Sequence, residues 1–305
     1  MRTVTVASGK GGTGKTTLSA LLAHLASQTI RVVIADADVE ASNLPLALRV
    51  EHAGCDSFSG GMKARLDPVL CTGCGVSLSV CRFGAISVHE GSHEIDVAGC
   101  EGCTACARVC PVAAISMERQ QAGEVCTGLT EVGPIAYGQL RPGHDLSGKL
   151  VTEVRSRAVA LGAVHGADLL LIDGPPGTGC PAIASVTGTD LVVAVTEPTK
   201  SGVHDLGRLE ELVRRFGLPL VVVLNKADLS TSGAREVRAL CSERNLTLLA
   251  EIPFDPALAS VLQRMAEGSE ADRSGCDSSG MRIVGEVWRQ LSQMLGMPSH
   301  GLPVA

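Results

Sequence analysis

Short apolar runs, each followed by a stretch with apolar residues at helical spacing, recur along the chain. Val4-Thr5-Val6-Ala7 meets a glycine-rich turn, after which Thr17 to Leu25 carries Leu, Ala and Ser in a helical pattern. Further runs stand at Arg31 to Ala35, Leu169 to Ile172, Leu191 to Val195 and Leu220 to Leu224. Past Arg31, each is apolar throughout, the pattern of a strand covered on both faces. Leu150 to Val164, Gly202 to Phe216 and Gly233 to Asn245 supply helical crossovers, which join parallel strands. The pattern predicts an α/β fold with a doubly wound, mostly parallel sheet.

Between Phe58 and Glu118 the regime changes: Cys and Gly become dense, long helical patterns stop, and Gly60-Gly61 stands at the entrance. This predicts a domain inserted at 59–118 into a framework formed by 1–58 and 119–305. A polar stretch from Gln120 to Lys149, with Gly-Pro and Pro-Gly turns, leads back to the framework. The loop Gly268 to Gly280 precedes a last helix near Met281 to Leu295.

The 305 residues suffice for two such units. Aromatics make up only 2% against 45% hydrophobic residues, so the core must be built from Ala, Val, Leu and Ile. A net charge of −6 leaves no basic footprint, and nucleic acid is not expected as a partner. With no long apolar run and no signal-peptide pattern, a cytoplasmic protein without membrane insertion is expected. Twelve cysteines in such a chain favour metal ligation over disulfides, and seven of them lie between positions 71 and 110.

Gly9-Lys10-Gly11-Gly12-Thr13-Gly14-Lys15-Thr16-Thr17 matches the phosphate-binding loop G-x-x-x-x-G-K-[ST], between a strand and a helix as the motif requires. Glycines let the backbone N–H groups of Gly11, Gly12, Thr13, Gly14, Lys15, Thr16 and Thr17 converge on phosphate oxygens at a helix N-terminus. Lys15 is expected to reach the β- and γ-phosphates of ATP, and the Thr16 hydroxyl to ligate magnesium.

The second lysine in this loop, Lys10, makes the segment resemble the deviant Walker A loop of the MinD, nitrogenase iron protein and metallocluster-carrier ATPases. The resemblance runs over essentially the whole chain, including Glu197-Pro198-Thr199. It implies a P-loop ATPase in which Lys10 crosses to a partner's nucleotide, and hence a nucleotide-sandwich dimer, either a homodimer or a heterodimer with a paralogue. Ala35 to Leu44 looks like switch I, where Asp38 would orient or deprotonate the attacking water and Asp36 would sit near magnesium. A helix cap is the other reading of Asp36. Leu170 to Gly179 looks like Walker B running into switch II, with Asp173 holding magnesium through water. Asn225 resembles the adenine-binding position, though a turn-forming Asn reads the same way. Ile252-Pro253-Phe254-Asp255 resembles the loop on the other side of the base, where Pro253 would touch it.

Cys100-x2-Cys103-x2-Cys106-x3-Cys110-Pro111 has the bacterial ferredoxin spacing. Zinc asks for two separated pairs and not for this spacing. Cys71, Cys74, Cys81 and Ile86 recur 29 residues later as Cys100, Cys103, Cys110 and Ile115, so the insert is a duplicated half resembling an α+β bacterial two-cluster ferredoxin. Under the crossed ligation of such proteins, one 4Fe-4S cluster takes Cys81, Cys100, Cys103 and Cys106. The other has Cys71, Cys74 and Cys110, with Ser77 where a thiolate is expected. A hydroxyl loses its proton far less readily than a thiol, and three outcomes stay open: a 3Fe-4S cluster, a 4Fe-4S cluster with Ser77 or solvent at one iron, or no second cluster. Cys55, Cys126, Cys180, Cys241 and Cys276 are expected to be structural thiols; for Cys180, after switch II, binding of a transferred metal is the alternative. The eight histidines are scattered and suggest no metal site.

Together these features predict an ATPase that couples dimer switching to electron transfer or to metallocluster assembly and delivery, acting on a redox or metallocluster client protein. The alternative is a spatial organiser of the MinD kind in which the cluster is structural or a sensor. That role asks for a basic amphipathic C-terminal helix, whereas the last helix carries an apolar stripe and only Arg282 and Arg289 as cations.

Overall fold

In the computed structural model, residues 1–89, 91–144, 146–267 and 278–298 are described. They form two compact units: Met1–Asp56, Val125–Gln139 and Ser147 onward in the first, Ser57–Glu124 with Leu140–Leu146 in the second.

The first unit opens with β1 (Arg2–Ser8), α1 (Lys15–Ser27), β2 (Val32–Asp36) and the short α2 (Leu44–Ala47). Strand β3 (Glu51–Leu66) carries the chain into the second unit, which holds α3 (Val76–Val80), β4 (Ile86–His89), β5 (Ser92–Ile95) and α4 (Ala105–Val109). Strand β6 (Ile115–Thr130) leads back to β7 (Gly133–Leu140). Then follow α5 (Ser147–His165), β8 (Leu169–Pro176), α6 (Cys180–Val186), β9 (Leu191–Thr196), α7 (Lys200–Arg215) and β10 (Leu220–Asn225). The chain continues with α8 (Thr231–Glu243), β11 (Thr247–Ile252), α9 (Pro256–Glu267) and α10 (Ser279–Met294).

The large sheet has the order β11-β10-β9-β1-β8-β2-β7-β6-β3. From β11 to β7 the strands are parallel, as the apolar runs predict. Central strands such as β9 are buried at every residue because helices cover both faces. One face packs Leu18, Leu21, Val193 and Val223 against Val284, Val287 and Trp288 of α10. The other packs Val192, Val222 and Leu224 against Leu206, Leu209 and Val237 of α7 and α8. The apolar stripe of α10 is therefore spent on the core.

Several strands depart from the sequence expectation. The polar stretch Gln120 to Lys149 contains most of β6 and all of β7, and β11 is a further strand outside the predicted runs. β6 reaches β7 through a two-residue turn, so the pair is antiparallel. Contacts between β3 and β6 also run in opposite order along the chain, Cys55 meeting Cys126 and Arg65 meeting Glu118. β3 is largely exposed and β6 mixes polar with apolar residues, so neither carries the continuous apolar signal of a two-sided burial, while the uninterrupted buried run of β7 is only Pro134-Ile135-Ala136. The same pairing corrects the expectation of reduced thiols: Cys55 and Cys126 are joined in a disulfide, their Cα atoms 4.0 Å apart. Antiparallel pairing sets these positions face to face across 71 residues of sequence, which no cysteine spacing reveals.

Candidate functional site

Strands β1, β2, β8, β9 and β10 deliver their carboxyl ends to one edge of the sheet, and the loops that follow gather there. Open α/β sheets hold ligands at this edge, where strand order reverses. The loop after β1 enters α1 through Gly14, whose φ of 89° is left-handed. A Cβ there would collide with Asn225 Nδ2, so the tight approach of β10 to the loop depends on this glycine.

Lys15 is buried at the start of α1. Its ammonium lies 3.1 Å from Asp173 Oδ1 and 3.8 Å from Asp38 Oδ2. Thr16 Oγ1 donates to Asp173 Oδ2 at 2.7 Å, and Ser19 Oγ donates to Asp173 Oδ1 at 2.8 Å. Asp173 thus connects the cation, the threonine hydroxyl and a serine that the sequence reading missed, one helical turn beyond Lys15. Burial raises the pKa of Asp38, against the pull of Lys15 and with a further push from Asp173.

Asp36 pairs in register with Asp173 on the adjacent strand. Its oxygens accept from Asp38 N at 3.0 Å, Ser42 Oγ at 2.8 Å and Leu44 N at 3.0 Å. The carboxylate therefore organises the loop leading into α2. Burial, then the charge of Asp173, push its pKa up to about 7.

Lys10 forms an ion pair with Glu197 and hydrogen bonds to Thr199 Oγ1 at 3.2 Å and Ser201 Oγ at 3.0 Å, all in its own chain. Lys226 Nζ lies 3.4 Å from the same glutamate and donates to Gly12 O at 2.9 Å. Asn225 Nδ2 donates to Thr13 O at 2.8 Å, while Thr13 Oγ1 is buried with no partner among the described residues. An orphaned hydroxyl in a glycine-rich loop fits a site shaped for phosphate. Pro253 follows β11, and Phe254, exposed beside it, donates its N–H to Asp228 at 2.6 Å.

In the second unit, Cys81, Cys100, Cys103 and Cys106 line one cavity together with Ala64 and Ile95. A second cavity is lined by Cys71, Cys74, Cys110 and Ser77, and also by His93. Burial pushes the Cys106 thiol up. Burial also pushes on Cys110, but the N–H groups of Val112, Ala114, Ile115 and Ala113 outweigh it and bring that thiol down. Among the described residues, no three potential ligand atoms of either cavity lie within 4.8 Å of one another. Elsewhere, Cys241 is buried, which pushes its thiol up to about 11, and Cys180 is exposed at the first residue of α6. Cys276 lies outside the described residues.

The family model CbiA, described as the CobQ/CobB/MinD/ParA nucleotide binding domain, matches residues 4–267. This chain belongs to that family. An uncharacterized protein of Methanocaldococcus jannaschii is 36% identical to it over 232 residues, covering 73% of this chain and 77% of the relative. An iron-sulfur cluster carrier protein of Rickettsia typhi is 24% identical over 264 residues, covering 86% and 64% respectively. Among solved structures, the septum site-determining protein MinD of Pyrococcus horikoshii with Mg-ADP aligns at a TM-score of 0.58 and 19% identity, over 97% of both chains. That likeness is one of fold. Among the described residues, no helix is long and apolar enough to cross a membrane.

Proposed function

We propose that this member of the CobQ/CobB/MinD/ParA family is an ATP-hydrolysing iron–sulfur protein, in which nucleotide-driven dimer switching is coupled to electron transfer or to delivery of a metallocluster. The observation that carries the reading is a cavity lined by Cys81, Cys100, Cys103 and Cys106 in a chain that also holds the Lys15, Thr16 and Asp173 constellation. The thiol sets, gathered in two cavities, fit iron–sulfur clusters by donor chemistry. Such clusters, when bound, take up and release single electrons. The relative named as an iron-sulfur cluster carrier supports the delivery branch.

For ATP, the N–H groups from Gly11 to Thr17 cradle the phosphates, and Lys15 offsets charge on the β- and γ-oxygens. Thr16 and Asp173 would hold magnesium, with Asp36 beside them, and the ion would offset phosphate charge. Asp38, 3.8 Å from Lys15, would orient or deprotonate the attacking water, a role that its raised pKa suits. Asn225 and Pro253 flank the base. Lys10 leaves Glu197, Thr199 and Ser201 to reach the nucleotide of a second copy or a paralogue.

Anaerobic iron and sulfide quantitation with electron paramagnetic resonance, before and after dithionite and ATP, tests the reading. Stoichiometric iron and sulfide and a spectrum that ATP alters are expected. Absence of both iron and sulfide after reconstitution would end the iron–sulfur reading.

A further inference from the structure

The internal repeat relates the two cavities position by position. Shifted by 29 residues, Cys71, Cys74 and Ser77 fall on Cys100, Cys103 and Cys106, and Cys81 falls on Cys110. The same shift takes Leu66 to Ile95 and Ala85 to Ala114, and each pair supplies one wall residue to each cavity. It also takes Ala64 to His93. The cavity with four thiols has a methyl group at this position, while the cavity with three thiols and a serine has an imidazole. One copy has thus lost a sulfur donor and gained a nitrogen donor.

His93 sits on β5 opposite Val88 of β4, and it shares a strand face with Ile95 while Ser92 and Glu94 are exposed. Both ring nitrogens are buried and find no hydrogen-bond partner among the described residues. Buried polar atoms are rarely left so, and an imidazole without a partner beside three thiols is a ready ligand. A neutral imidazole offers a lone pair without losing a proton. The Ser77 hydroxyl must ionise first, at a far higher pKa than a thiol's.

We infer that Cys71, Cys74, Cys110 and His93 form a three-cysteine, one-histidine site for a second 4Fe-4S cluster, with Ser77 a wall residue. This rests on the iron–sulfur reading above and adds a ligand that spacing alone does not suggest. An imidazole in place of a thiolate removes one negative charge from the ligand set, so this cluster is reduced at a higher potential than its all-thiolate neighbour.

The test uses the full chain, reconstituted anaerobically with iron and sulfide, with and without 15N-histidine labelling. About eight irons and eight sulfides per chain are expected, the content of two cubanes. Pulsed electron paramagnetic resonance of the reduced protein should show a nitrogen hyperfine coupling that changes on histidine labelling. His93→Ala should abolish the coupling and lower the iron content, leaving the signal of the four-thiolate cluster in place. Ser77→Ala should change neither, and His93→Cys should restore the iron without the nitrogen coupling. A His93→Ala protein with full iron, or a labelled wild-type protein with eight irons and no nitrogen coupling, would overturn the assignment. About four irons, with only the four-thiolate signal, would also overturn it while leaving the iron–sulfur reading intact. Zinc without sulfide would remove both.

Discussion

Lys15 is held by two carboxylates of unequal task. Asp173, at 3.1 Å, also receives hydrogen bonds from Thr16 and Ser19, so it is fixed in place; Asp38, at 3.8 Å, is held more loosely and its pKa is raised. Replacing Asp38 by Asn should slow ATP hydrolysis by about 10²–10⁴-fold, the usual contribution of a positioned base, while ATP affinity stays within a few-fold. Steady-state hydrolysis and equilibrium nucleotide binding separate the two effects, and an equal loss in both would assign Asp38 to binding. For Asp36 the sign runs the other way from a salt-bridged carboxylate. Its folded pKa, about 7 against an ordinary 3.8, means that the folded protein keeps the proton longer. The stability linked to that proton is present below about pH 4 and is lost as pH rises toward 7, at no more than about 1.4 kcal/mol per unit. Melting curves of the nucleotide-free protein should show this decline between pH 4 and 7, and Asp36→Asn should flatten it.

At the level of elements, the turn from β1 into α1 and the ribbon of β3 and β6 are the sensitive joints. Gly14→Ala combines a left-handed backbone with a collision against Asn225, a strain of about 1–3 kcal/mol. Nucleotide affinity should fall with it, as calorimetric titration would show, while Gly207→Ala, in the open on α7, should leave affinity unchanged. The disulfide between Cys55 and Cys126 closes a loop with a sequence separation of 71. Chain-entropy reasoning gives such a closure about 4 kcal/mol. Denaturant melts with and without a thiol reductant should differ accordingly, and Cys55→Ser should abolish the difference. Neither joint is apparent from hydrophobic patterning, because turn geometry and edge pairing leave little trace in apolar periodicity.

For the whole molecule, the proposed function requires nucleotide and cluster chemistries to communicate. On that reading ATP should alter the resonance spectrum of the reduced, reconstituted protein, and Lys15→Ala should abolish that response while leaving iron and sulfide content unchanged. An ATP response that survives Lys15→Ala would place its origin outside the phosphate loop. The parallel core and the phosphate loop were legible in sequence because two-sided burial and the needs of phosphate binding leave contiguous signals. Strands β3 and β6 were not, since they are rich in polar residues and Cys55 of β3 meets Cys126 of β6 far along the chain, and the buried run of β7 is too short to stand out within a polar stretch.

The sequence by itself determined the α/β class, the phosphate loop with Lys10 and Lys15, the positions of Asp38 and Asp173, and the duplicated cysteine spacing. Each of these is read from contiguous segments of chain: apolar runs, one glycine-rich loop, strand ends and a repeated cysteine spacing. Only the tertiary structure decided that Ser19 supports Asp173, that Cys55 meets Cys126, and that His93 lines one cavity with Cys71, Cys74 and Cys110. Each of these depends on which strand or helix lies beside which. An isolated histidine or cysteine gains a chemical meaning only when folding brings its neighbours to it.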